Sequence, residues 1–136
     1  MSPLYPSWIE IPVTHMERTL RFYRGVFDLT DTPVFEELVS IIAVLLPSDK
    51  RAHAPGASLV KSPLHRSADG GAIVNFHVDT HHALDIAVQR VTELGGKVDT
   101  AIVSMDDGVR YVNVLDCEGN RIALSSHEAP AEDVAE

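Results

Sequence analysis

Trp8 and Glu10 are the first residues in this chain whose types and spacing could do chemistry. They lie in WIEIPV, where Ile9, Ile11 and Val13 alternate with Trp8, Glu10 and Pro12. A period of two is that of a half-buried strand, so Trp8 and Glu10 share the face turned away from the apolar one. A carboxyl desolvated beside an indole has its pKa raised, and such a group can act as a general base without a metal. The same Glu10 also reads as a ligand-binding carboxylate, or as one hydrogen-bonded to a neighbour. A second stretch, AIVNFHV, places Ile73, Asn75 and His77 on the equivalent face. Glu10 with His77 could hold a metal in an unusual position, yet two protein ligands make a weak site and Asn is a poor transition-metal donor. The other histidines carry less. His81 and His82 project about 100° apart on a helix, not at the i, i+4 spacing that lets two imidazoles share a metal. They read as first-turn or solvent-facing residues. His15, His53, His65 and His127 form no ligand spacing.

The elements that must position these residues occur twice. After the strand from Trp8 to Val13, Thr14 offers an N-cap and Glu17 completes a capping box. Leu20, Tyr23 and Phe27, with Phe22 and Val26, then form a helix stripe over about His15 to Phe27. The stretch from Ala72 to Gly96 repeats the pattern. Val74, Phe76 and Val78 replace Ile9, Ile11 and Val13, and the helix stripe resumes at Leu84, Ala87, Val88, Val91 and Leu94. Two copies of an internal repeat argue for a pseudo-twofold domain. In module one (about 8–62), TPVFEEL, VSIIAVLLP and GASLVKS read as strands. VSIIAVLLP, apolar on both sides, is a covered or an interface strand. In module two (about 71–127), KVDTAIV, VRYVNVLD and RIALSSH do the same, with CEGN a tight turn. SPLHRSADGG has the composition of a surface linker, centred on about 63–70. The acidic tail 128–136 reads as disordered. The fold class is therefore α+β: two βαβββ modules in one domain spanning 1–136, each a mixed four-stranded sheet with its helix outside, the opposite faces curving around a groove.

Charge narrows the partners. Eleven basic against twenty acidic residues give a net charge of −9, which disfavours nucleic acid and anionic membranes. No apolar run reaches membrane-spanning length, and MSPLYPSW lacks the plan of a signal peptide. The single Cys117 cannot form an internal disulfide, which suits the cytoplasm. It reads as structural, because no basic partner is evident nearby.

The order βαβββ twice, with the phrases IEIPVTHMERTLRFYRGVF and YVNVLDCEGNRIAL, resembles the vicinal oxygen chelate superfamily, which holds glyoxalase I, bleomycin-resistance proteins, fosfomycin-resistance enzymes and extradiol dioxygenases. The resemblance covers about residues 8–127 and implies a cup of two half-barrels. In metal-using members the ligands stand on the first and last strands of each module. In this chain those positions are Trp8, Ile73 and Ala123, while GASLVKS, the last strand of module one, contains no His, Asp or Glu. Trp, Ile and Ala donate nothing to a divalent cation. The expected cofactor is therefore none, with a displaced divalent-metal site left open.

Strand parity gives a lining for the cup: Trp8, Glu10, Ile73, Asn75, His77, Tyr111, Asn113, Ala123 and Ser125. Apolar walls with a few placed amides and one carboxylate are how small-molecule pockets look. Trp8 is either a plug or a platform for a planar ligand. Two functions follow. One is metal-independent binding of a small organic molecule, as in bleomycin-resistance members. The other is a glyoxalase-type lyase or isomerase, using displaced ligands or Glu10 as a catalytic base. The resemblance also implies a homodimer.

Overall fold

The computed structural model describes residues 4–129. Its first sheet is built from β1 (Trp8–Pro12), β2 (Val34–Glu36), β3 (Ile41–Leu46) and β4 (Gly56–Lys61), with α1 (Met16–Phe27) between β1 and β2. The order is β1-β4-β3-β2, with β1 parallel to β4 and the other pairs antiparallel. The second sheet repeats the scheme: β5 (Val74–Val78), α2 (His81–Glu93), β6 (Lys97–Val98), β7 (Val103–Ser104), β8 (Val109–Leu115) and β9 (Arg121–His127). Here β5 runs parallel to β9, β9 pairs with β8, and β6 and β7 both pair with β8. The class is α+β with two mixed sheets, as the repeat requires.

One apolar core joins the two units. Ile11, Val13, Phe22, Tyr23, Val26 and Leu59 share it with Phe76, Leu84, Val91, Val112, Ile122 and Leu124. Phe76 of β5 is reached from α1 by Phe27 (ring centroids 4.8 Å apart) and Tyr23 (6.1 Å). Close packing just after α2 depends on a glycine. Any Cβ at Gly96 would lie 2.6 Å from the carbonyl oxygen of Leu115 and 2.7 Å from the Phe22 ring, so only glycine lets Phe22 approach that closely.

Two local expectations are corrected. The strand expected over KVDTAIV is broken into β6 and β7, because Asp99 and Thr100 turn their N–H groups to the Asn113 carbonyl and interrupt the ladder. His81 opens α2, the first-turn position that is one of its two readings, and its Nδ1 lies 2.7 Å from Ser126 Oγ, not free in solvent. The capping box at Thr14 does not form. The N-cap is His15, which makes no side-chain cap bond. Instead Glu118, from the turn between β8 and β9, accepts the N–H groups of Thr14 (2.8 Å) and His15 (2.7 Å). A negative charge at the positive end of the helix dipole is stabilising.

That turn, Asp116 to Asn120, is the strongest polar link between the two units. Asp116 is buried and accepts from the Tyr23 hydroxyl at 2.6 Å, from the N–H groups of Glu118 and Asn120 at 2.8 and 2.9 Å, and from Asn120 Nδ2 at 3.1 Å. Asn120 Nδ2 also donates to the Pro12 carbonyl at the end of β1. The linker is exposed in composition but held in place. The Ser67 hydroxyl lies 3.1 Å from both the Pro12 carbonyl oxygen and Glu118 Oε1, and Ala68 N–H donates to Asn120 Oδ1. Of the acidic tail, only Glu128 and Ala129 lie within the described residues.

Candidate functional site

The strand register decides which side chains can act together, because a slip of one residue would turn each of them to the other face. In the first sheet, Trp8 stands opposite Gly56, Glu10 opposite Ser58 and Pro12 opposite Val60. In the second, Asn75, Ala123 and Asn113 form one row across β5, β9 and β8, and His77, Ser125 and Tyr111 form the next. Ile73 lies just before β5. Each sheet turns its other face, with Ile9 and Ile11 or Phe76 and Leu124, toward the shared core.

Trp8 is half-exposed and fixed. Its Nε1–H donates to Ser58 Oγ at 3.0 Å. Its ring lies over Gly56, in space that any Cβ at that position would occupy. An indole held by a hydrogen bond and a glycine floor loses little freedom when a ligand lands on it. Asn75 and His77 are exposed, Tyr111, Asn113 and Ser125 are partly covered, and Ala123 is buried. The row of two amides flanking a methyl group has donors and acceptors on either side of an apolar patch.

Glu10 does not pair with His77. Its Oε2 lies 3.3 Å from Nε2 of His65, and the carboxylate remains half-exposed. The sequence held no signal for this pair, since it depends on the linker folding back beside β1. His77 borders a separate cleft of about 470 Å³ with Phe27, Asp28, Asp79 and Arg90. Among the described residues, no three His, Cys, Asp or Glu side chains converge on a point that could hold a metal. The residues at the positions implied for ligands (Trp8, Ile73 and Ala123) have no donor for one. The set does not fit a divalent cation, and Glu10 with His65 supplies only two donors.

Four neighbouring groups were not singled out from the sequence: Ser58, Ser62, His65 and Glu118. Ser62 and His65 flank Pro63 in a turn, and that proline was the available signal. Cys117 is half-buried beside Thr19, and burial pushes its thiol pKa up. That is the setting of an unreactive thiol.

The family model for the Glyoxalase/Bleomycin resistance protein/Dioxygenase superfamily matches residues 6–124. A comparison of the sequence with curated proteins finds no match. Solved structures share the fold. A glyoxylase/bleomycin resistance protein/dioxygenase domain from Frankia sp. EAN1pec superposes with a TM-score of 0.71 at 13% identity, over 93% of this chain and 94% of that one. The fosfomycin resistance protein FosX from Listeria monocytogenes gives 0.62 at 14% identity, over 94% and 95%. A mutant glyoxalase I from Zea mays gives 0.63 at 16% identity, over 88% of this chain and 46% of that one. At such identities the likeness establishes the fold, and the family match establishes descent: the chain belongs to the glyoxalase/bleomycin resistance protein/dioxygenase superfamily.

Proposed function

We propose that the protein binds a small organic molecule, without a metal, on the sheet faces turned away from the core. The carrying observation is the fixed, half-exposed Trp8, held by Ser58 and floored by Gly56. The rows Asn75–Ala123–Asn113 and His77–Ser125–Tyr111 supply polar groups of the kind that orient a ligand. The reading has the two faces curve together into one cup. It also has a homodimer, supported by the exposed apolar residues Val34 and Phe35 of the edge strand β2. Light scattering that gives a monomer mass would remove the dimer. No helix among the described residues is long and apolar enough to cross a membrane. The free, half-buried Cys117 supports a reducing compartment such as the cytoplasm.

Trp8 is the chain's one tryptophan, so its emission reports directly on the site. A screen of planar organic compounds against chelator-treated protein is expected to yield ligands that quench or shift that emission. Trp8→Ala, followed by calorimetry with a hit, is expected to weaken binding about tenfold or more, since a stacking aromatic contributes about 1–3 kcal/mol. Hits that bind Trp8→Ala unchanged would place the ligand elsewhere.

A second reading is supported by the Glu10–His65 pair, an acid and a base within reach of each other on an accessible face. On it the protein is a lyase or isomerase of glyoxalase type with Glu10 as the proton-transferring group. Glu10→Gln would then abolish turnover and spare binding, whereas for a pure binder it would alter affinity alone.

A further inference from the structure

The segment Ser62-Pro63-Leu64-His65 dictates its own geometry. Proline at the second position of a turn pre-sets its φ, and serine is favoured at the first. The turn closes with His65 N–H donating to the Ser62 carbonyl at 3.2 Å. First and fourth residues are thereby brought side by side, and His65 Nδ1 lies 2.6 Å from Ser62 Oγ. Across the imidazole, Nε2 faces Glu10 Oε2 at 3.3 Å. In the tautomer that carries its proton on Nε2, the ring turns that N–H toward the carboxylate and offers the Nδ1 lone pair to the serine hydroxyl. Leu64 N–H donates to Ser62 Oγ at 3.1 Å, where negative charge would develop on deprotonation. Glu10 comes from β1, and Ser62 follows directly on β4, its parallel neighbour.

This is the arrangement of an activated nucleophile: a hydroxyl on a base that a third group orients. It opens on a cleft of about 530 Å³ whose lining includes Leu38, Val39, Ile41, Lys61, Ser62 and His65. The aliphatic part of the lining suits a short acyl chain, and the charged residues beside it are of both signs, Glu36, Glu37 and Lys61.

We propose that Ser62, His65 and Glu10 form a nucleophile–base–carboxylate chain that hydrolyses small carboxylic esters in this cleft. Ser62 Oγ attacks the ester carbonyl carbon while His65 Nδ1 takes the hydroxyl proton. The carbon–oxygen bond to the alcohol breaks, and His65 returns that proton to the leaving oxygen. Water then attacks the acyl-serine and gives a proton to His65, which passes it to Ser62 as the carboxylic acid departs. The sum is ester plus water to acid plus alcohol, with no redox partner. Ser62 and His65 are the catalytic residues, and Glu10 is a positioning residue. The site shares only Glu10 with the ligand face, so either assignment can fail alone.

The test uses the whole chain with p-nitrophenyl acetate as substrate and a fluorophosphonate as trap. Intact-mass and peptide analysis are expected to find one phosphonyl group per chain, on Ser62. Ester turnover is expected to fall about a hundredfold or more in Ser62→Ala and in His65→Ala, the usual scale for loss of acid–base assistance. Glu10→Gln is expected to lower kcat at unchanged KM. Absence of a Ser62 adduct on the wild-type chain would overturn the proposal, as would equal turnover in Ser62→Ala. The trapping experiment needs no variant to fold.

Discussion

Asp116→Ala is expected to destabilise the chain by about 3–5 kcal/mol, because it strips a buried acceptor from several donors at once. Asp116 is 3% exposed and receives the Tyr23 hydroxyl, the N–H groups of Glu118 and Asn120, and the Asn120 amide. An unsatisfied buried donor costs about 1–3 kcal/mol, and the Tyr23 hydroxyl has no water to turn to, since Tyr23 is fully buried. Burial first, and then the adjacent Asp116 charge, raise the Tyr23 phenol pKa well above its ordinary value. The phenol therefore keeps its proton and donates it in a hydrogen bond to Asp116. Tyr23→Phe provides the contrast. It removes one donor and leaves Asp116 with the others, so its cost is expected to be about 1–2 kcal/mol. Urea unfolding of the three proteins at neutral pH measures both values. If Asp116→Ala costs no more than Tyr23→Phe, the turn does not hold the two units together as described.

Glu118 carries the second large effect, and pH exposes it. Its side chain is 4% exposed. Burial disfavours its charge, but the hydrogen bonds from His15 and Thr14 N–H and from Thr19 and Ser67 outweigh that and lower its carboxyl pKa. A carboxyl lowered by folding contributes stability that is fully present above its unfolded pKa. That contribution is lost as pH falls through the folded pKa. Glu118→Gln keeps the shape and removes the charge, leaving the α1 N-terminus with a weaker cap. It is expected to lose about 1–2 kcal/mol at neutral pH, the range of a helix N-cap. Its acid limb is expected to be flatter, so that the gap to wild type narrows as pH falls through the folded pKa of Glu118. Parallel unfolding curves down the acid range would show that Glu118 is not the group responsible.

What the sequence made legible was what local periodicity encodes. Alternation in WIEIPV and AIVNFHV put Trp8 with Glu10, and Asn75 with His77, and the register pairs each set as parity requires. Both helices follow from stripes centred on Phe22, Tyr23 and Val26, and on Leu84, Ala87 and Val91. What it did not show depends on partners distant in the chain. Thr14 followed by Glu17 is a sound capping box locally. The carboxylate of Glu118 reached the same helix end from the other unit. His65 belonged to a segment with linker composition, and its approach to Glu10 follows from a turn at Pro63 that composition alone does not orient. The stretch DCEGN, within the family-like phrase YVNVLDCEGNRIAL, has a physical task in this chain. Asp116, Glu118 and Asn120 fasten the second unit to Tyr23, Thr14 and Pro12 of the first.

The departure at Trp8, Ile73 and Ala123 bears most on function, because it leaves those positions in this superfamily member without metal donors. The measurement that tests this most directly is metal content by mass spectrometry on untagged protein, paired with thermal melts in manganese, nickel, zinc and iron(II). The expected result is no stoichiometric metal and no shift in Tm with any of the four. One metal per chain, or a Tm rise that Glu10→Ala removes, would contradict the account and show that the ligand set has moved to Glu10 and its neighbours.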